Sequence, residues 1–499
     1  MADAASEDHV TFLRDAQSLI ALLFGRAFAV AAGLLVSVVI GRTLGPDALG
    51  RWTLLVAAAT MLHTLLLNWT HASTVRFGVE EWSAHHSLSQ TLSARLPFLV
   101  GGGMAIGTLL WLQPFEWLER GFGLASGTAG VVGLYVGALW IVAECQATLQ
   151  ATGRIPLQAM VGVVASACMV GAVVLMGARN GSIPQFGIAV ALALGLPWLT
   201  VWLAVLARAQ TRLAAPPVAD VRRHLLYAAP LSAGFAVGYL SDWGDHLLLG
   251  SFATTVDLGQ FGLAYQVFVS IMAAHGLLST VVLPRLINLE MRAPGTSQRY
   301  VAEAVPALLV AWALATQVAV VVLPGLLPVA AGSDFEAAAA TLRLLGVVVP
   351  SAAVTSLYSV LFSVQGRLGR LVVYLALMTA TNLCLSVLLI PSFGAAGAAA
   401  GTVASYLFGQ IVYMTDQHWY LDMRLDRVLP VWLTAVFSGM LQAPPELPWL
   451  FRLASCGVGL TAIIVAARRF ESVSPKLMDD CFGTRPGAAG NFVRRLLIA

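Results

Sequence analysis

Four ionisable residues stand inside long apolar runs of the sequence: Arg26, Glu144, Asp242 and Asp245. An ionised side chain at the centre of a bilayer costs about 2.5–3.5 kcal/mol on insertion scales. Residues kept there against that cost are expected to face the interior of a helix bundle. Asp242 and Asp245 are three apart, on one helix face, and His246 follows four after Asp242. Two carboxylates so close repel, so one is expected to hold a proton. Arg26 offers the opposite chemistry, a planar fork of donors that stays charged and matches phosphate oxygens. Two readings stand side by side. In one, Arg26 binds a diphosphate while Asp242, Asp245, His246 and Glu144 form a cavity for cation coupling. In the other, Arg26 pairs with an acid and ties helices together.

Other polar residues suggest less. His63 and His275 fall mid-span without H-E-x-x-H or paired Cys/His spacing, so packing is expected there and no metal site. Gln317, Asn382 and Gln410 suit sugar hydroxyls or interhelical hydrogen bonds equally well. Five single cysteines show no C-x-x-C pattern and read as packing residues. Lys476 is the only lysine, and it follows Ser474-Pro475, which excludes a phosphate-binding P-loop. No catalytic residue and no cofactor are expected.

The elements that must position these groups follow from composition. Of 499 residues 58% are hydrophobic and 11% charged, against about 25% charged in soluble proteins. Mean hydropathy is +0.81. Disorder, nucleic-acid binding and a soluble enzyme are disfavoured. A helix needs about 20 apolar residues to cross a bilayer. Fourteen runs qualify: 17–40, 51–71, 95–114, 126–149, 157–178, 186–207, 228–251, 262–283, 304–327, 339–363, 370–390, 394–415, 429–443 and 449–467. With both termini cytoplasmic, 21 of the 28 basic residues fall on the inner side and 6 on the outer, as the positive-inside rule requires. Every outer loop is short, which disfavours a glycosyltransferase or polymerase with its acids in an outer domain.

The sequence also repeats at about 210 residues. Leu49-Gly50-Arg51-Trp52 returns as Leu258-Gly259-Gln260-Phe261, Gly153-Arg154 as Gly366-Arg367, and Pro184-Gln185-Phe186-Gly187 as Pro391-Ser392-Phe393-Gly394. Each match falls at the same boundary of the corresponding span. The expected fold is an all-α integral membrane protein of about 14 transmembrane helices, built as two parallel-repeat six-helix bundles plus a C-terminal helix pair. The divisions are 1–210, a cytoplasmic linker 211–227, 228–420, two further spans in 421–470, and a cytoplasmic tail 471–499. An even number of spans per repeat makes the halves parallel, an arrangement that encloses a central cavity and rocks about it.

Gly41-Arg42-Thr43-Leu44-Gly45-Pro46-Asp47-Ala48-Leu49-Gly50 resembles the R-x-L-G-P-x-x-x-G turn of bacterial polysaccharide transporters. These are O-antigen-type lipid-linked oligosaccharide flippases of the multidrug/oligosaccharidyl-lipid/polysaccharide exporter superfamily. Asp245-His246-Leu247-Leu248-Leu249-Gly250 is similar to that family's Asp-basic-aliphatic run, with His246 where Arg or Lys is usual. Pro391-Ser392-Phe393-Gly394-Ala395-Ala396-Gly397 resembles its P-x-[YF]-G-x-x-G motif. The resemblance covers 15–420. It implies a non-enzymatic transporter that moves undecaprenyl-diphosphate-linked oligosaccharide across the bacterial inner membrane, coupled to a cation gradient. It also implies membrane lipids and polysaccharide-assembly proteins such as a polymerase as partners. Arg76 stands where the family often has an arginine facing the cytoplasmic mouth, a second anion-binding candidate beside Arg26. A proton- or sodium-coupled drug or metabolite exporter of the same superfamily is the alternative.

Overall fold

The structure is a computed structural model that describes residues 2–111, 128–209, 211–421, 423–474 and 497. Every regular element among them is helical, as the composition requires, because backbone groups in lipid must be satisfied within their own segment. The basic residues of the expected tail from 475 onward, Lys476, Arg485, Arg494 and Arg495, lie outside the described residues.

Two compact units divide the chain, Met1–Gly259 and Gln260–Ala499. The first contains α1 (Ala2–Leu66), a 3-10 turn (Asn68–Thr70), α2 (His71–His85), α3 (Ser89–Trp111), α4 (Ala129–Ala151), α5 (Ile155–Ala178), α6 (Ile183–Arg208) and α7 (Val218–Phe252). The boundary falls in the first turns of α8 (Thr255–Arg292). The second unit adds α9 (Thr296–Ala331), α10 (Glu336–Gly346), α11 (Val349–Val364), α12 (Leu368–Leu421), α13 (Leu425–Gln442) and α14 (Trp449–Arg469).

Among the described residues, nine helices are long and apolar enough to cross a bilayer, or ten if the bent pair around α10 and α11 is one span. Two of the nine run through two expected spans each. α1 breaks at Gly45, at φ +83°, just before Pro46, and α12 breaks at Gly394, at φ +53°, shortly after Pro391. These breaks are the glycine–proline motifs read from the sequence. α7 and α13 occupy the seventh and thirteenth expected positions but are less apolar than the nine.

The repeat is visible as local structure. Gly153 and Gly366 both adopt left-handed backbone, at φ +70° and +69°. In each case the next residue's N–H closes the helix end with the same bond, Arg154 to Leu149 O and Arg367 to Phe362 O, both 2.8 Å. That is a Schellman cap, in which glycine avoids the left-handed penalty. A second repeat pair meets directly inside the first unit. A side chain on Gly50 would overlap the Thr255 carbonyl oxygen, and one on Gly259 would overlap the Pro46 carbonyl oxygen. The Thr255 hydroxyl donates to the Asp47 carboxylate beside this crossing, and Arg51 pairs with Asp47 at 3.0 Å.

Lipid offers no hydrophobic force between helices, so packing and hydrogen bonds hold the bundle together. In the first unit Cys145 and Leu149 of α4, Val161 and Ala165 of α5, and Trp198 and Val205 of α6 form one buried cluster. In the second, Gln317 of α9 accepts from Gln442 at 2.6 Å and donates to Ala435 O at 3.2 Å, stitching α13 to α9. The Trp432 indole donates to Ser351 Oγ at 2.9 Å and ties α13 to α11.

Candidate functional site

Arg26 lies on α1 where the helix packs backbone to backbone on α5. The neighbouring Gly25 leaves room for Ala159, whose carbonyl oxygen would sit 3.2 Å from an added Cβ. Arg26 is itself exposed and lines a cavity of about 330 Å³ within the first unit. Gln146 and Gln150 face the same cavity from α4, joined by Gln158 and Ser166 from α5 and Trp198 from α6. The spacing of Gln146 and Gln150 puts them one turn apart on a single face. Gln158 is 8% exposed and its Oε1 is buried with no hydrogen bond. Among the described residues, no acid lines the cavity, and the side chains of Arg26 and the three glutamines have no hydrogen-bonding or ion-pair partner. The sequence reading singled out Arg26 but not the glutamines. The signal available was their spacing inside apolar runs.

Glu144 sits elsewhere on α4. It is fully buried and pairs with Arg95 of α3 at 2.6 Å, with side-chain exposures of 0% and 1%. Arg95 Nε donates to Thr70 Oγ1 at 2.8 Å and Nη1 to Thr74 Oγ1 at 2.7 Å. Thr70 belongs to the 3-10 turn that interrupts the second expected span, so the guanidinium fastens this break to α3. From sequence, Arg95 reads as a basic residue at a span end; the structure makes it the counter-ion of Glu144.

On α7, Asp242 is exposed, while Asp245 and His246 are 4% and 3% exposed. The two carboxylates therefore occupy different surroundings despite their spacing. His246 packs against the Trp243 ring with centroids 5.1 Å apart. The Tyr239 hydroxyl donates to Ala57 O at 3.0 Å and holds this stretch of α7 to α1.

Arg76, on α2, is exposed and pairs with Glu80 at 3.0 Å; Glu80 also takes Arg223 of α7 at 2.6 Å. Arg76 does not line the Arg26 cavity. Arg223 stacks over the Phe77 ring at 4.2 Å, and His224 lies against the same ring with centroids 4.6 Å apart. Burial holds the His224 imidazole below its ordinary pKa. His63 is buried in α1. Gln317 is committed to interhelical hydrogen bonds, which settles that residue in favour of packing.

No family model and no curated protein sequence matches the chain. Solved structures do. The inward closed conformation of the lipid II flippase MurJ is similar over 90% of this chain and 98% of its own, with a TM-score of 0.65 and 13% identity. The MATE multidrug transporter DinF-BH is similar over 80% of this chain and 95% of its own, with a TM-score of 0.55 and 13% identity. An inward-facing multidrug resistance MATE family transporter of the MOP superfamily gives a TM-score of 0.54 at 15% identity, over 80% and 94% of the two chains. The chain has the fold of MOP-superfamily membrane transporters.

Proposed function

We propose that the protein is a transporter that flips undecaprenyl-diphosphate-linked oligosaccharide across the bacterial inner membrane by alternating access, coupled to a cation gradient. The observation that carries this reading is Arg26, a guanidinium without a partner among the described residues, in a cavity lined by amides and no acid. Such a group attracts an oxyanion and repels the cationic drugs an acid-lined cavity would hold. The motifs around Gly45 and Gly394, placed at the two helix breaks, support the same reading, as does the likeness to a lipid II flippase. In this reading Arg26 contacts the diphosphate, Arg76 lies at the cytoplasmic mouth, and Asp242, Asp245 and His246 respond to the coupling cation. Both termini face the cytoplasm, and polysaccharide-assembly proteins are partners.

Complementation tests it. The chain is expressed in a strain lacking its own polysaccharide flippase, and surface glycan and inner-leaflet precursor are measured. Restored glycan that is lost with Arg26→Ala at matched expression is the expected result. The second reading, a proton- or sodium-coupled exporter, is favoured by exposed Asp242 on α7 and the likeness to MATE transporters. Drug efflux that is abolished by Asp242→Asn and indifferent to Arg26→Ala would replace the flippase reading.

A further inference from the structure

The geometry points to the cavity of the first unit as a seat for a single oxyanion-bearing sugar. Arg26 holds its phosphate or carboxylate, and Gln146, Gln150 and Gln158 hold its hydroxyl and amide groups. This deepens the flippase reading and rests on it for the lipid-linked context, but the site stands on its own geometry.

Three observations carry it. First, polar side chains in a membrane protein interior are normally satisfied by protein or water, because an amide without a partner there destabilises the fold. Here an arginine and three glutamines from α1, α4 and α5 share one cavity, and among the described residues none bonds another side chain or the backbone. The Oε1 of Gln158 is buried and unused. Elsewhere in the same unit the neighbouring helices give Arg95 three side-chain bonds, whereas Arg26 faces the cavity.

Second, the donor set is selective. A guanidinium supplies a bidentate fork for one oxyanion. Carboxamides both donate and accept, which matches ring hydroxyls and N-acyl groups and not an inorganic ion alone. A lining without carboxylates excludes a cation as the natural occupant.

Third, size sets the unit recognised. A volume of about 330 Å³ lies at the low end of the roughly 300–1,000 Å³ typical of small-molecule sites. It admits one sugar with its anionic group, not an oligosaccharide. The rest of a longer glycan would lie outside this cavity, which makes one residue of the substrate the one that is read.

The test uses the full chain in nanodiscs and calorimetric titration with four probes: N-acetylglucosamine 1-phosphate, glucuronic acid, N-acetylglucosamine and inorganic phosphate. The sugar phosphate or the sugar acid is expected to bind at least about tenfold more tightly than either the neutral sugar or phosphate, and which of the two binds identifies the oxyanion. Arg26→Ala is expected to abolish that preference over neutral sugar. Gln150→Ala and Gln158→Ala should each weaken binding about three- to tenfold, the equivalent of one lost hydrogen bond. Gln150→Glu, which places a carboxylate in the cavity without enlarging it, should abolish anion binding while the thermal transition stays in place. Phosphate binding as tightly as sugar phosphate, with the glutamine variants silent, would overturn the sugar seat. Binding indifferent to Arg26→Ala and Gln150→Glu, or no binding by a protein with an intact thermal transition, would overturn it too. Binding with the expected pattern but no complementation leaves the seat standing and removes the flippase reading. Complementation indifferent to every glutamine variant does the reverse.

Discussion

Arg26 and Arg95 belong to the same compact unit and differ in almost every physical respect. Arg95 is buried, bonded to two threonines and paired with a buried carboxylate at 2.6 Å. Arg26 is exposed to a cavity and has no partner among the described residues. A charge satisfied by its own protein fixes a fold; a charge left open in a polar cavity waits for a ligand. The difference lies in the partners that other helices supply, and a single run of sequence does not display them. It also divides α4 along its length, since Glu144 pairs with Arg95 while Gln146 and Gln150 face the cavity that Arg26 lines.

The contrast is broken most directly at the buried pair. Arg95→Ala leaves Glu144 without its counter-ion, and a loss of about 3–5 kcal/mol is expected, read as a large drop in thermal unfolding temperature in detergent. The double variant Arg95→Met/Glu144→Leu should recover most of it, because two matched apolar groups replace two matched charges. Single variants as stable as the parent would end the distinction between the two arginines. A neutral paired group gives a smaller effect. Gln317→Leu strands Gln442 inside the second unit and should cost about 1–3 kcal/mol by the same measurement.

At the open arginine the readout changes. Arg26→Ala is expected to leave stability within about 0.5 kcal/mol and to reduce glycan export at least about tenfold in the complementation assay. A stability loss like that of Arg95 would show that Arg26 is structural after all. The smallest expected effect concerns His224, outside both clusters, whose pKa is lowered by burial. The unfolded chain then takes up this proton before the folded one does. Stability from this residue is complete above about pH 6.5 and declines as pH falls below it. His224→Phe keeps a ring against Phe77 and should flatten the slope of unfolding temperature between about pH 6.5 and 5. An unchanged slope would assign the acid sensitivity to other groups.

Much of the fold is legible in the sequence because apolar runs, their glycine–proline ends and the repeat are local signals. Gly45 and Gly394 mark breaks that the motifs announce, and Gly153 and Gly366 form matching caps that their identities suggest. The residues that define the candidate site are less legible. Arg95 near the start of its span looks like any basic flank, and only the approach of α3 to α4 reveals it as a buried counter-ion. Asp242 and Asp245 share a face by spacing, yet neighbouring helices bury one and leave the other open. The three glutamines are inconspicuous as neutral residues in long helices; their convergence belongs to packing, which periodicity does not report. Gly101-Gly102-Gly103 shows the same limit. A side chain on Gly102 would press on Leu66 O at 2.5 Å, whereas those on its two neighbours would meet open space.

The crossing of Gly50 and Gly259 carries a historical consequence. Gly50 meets Thr255 and Gly259 meets Pro46, and a shift of 209 residues turns the first contact into the second. Reciprocity of that kind, in which i touches j and j touches i, is the signature of an isologous interface between identical subunits. A six-span ancestor that paired with its own copy would have placed one glycine against the loop of its twin and vice versa. A single substitution there would then have struck the assembly twice. In the present chain a substitution at Gly50 or at Gly259 is made once, not twice. Arg51 on one side and Gln260 on the other now stand at equivalent positions, free to diverge because each is encoded only once.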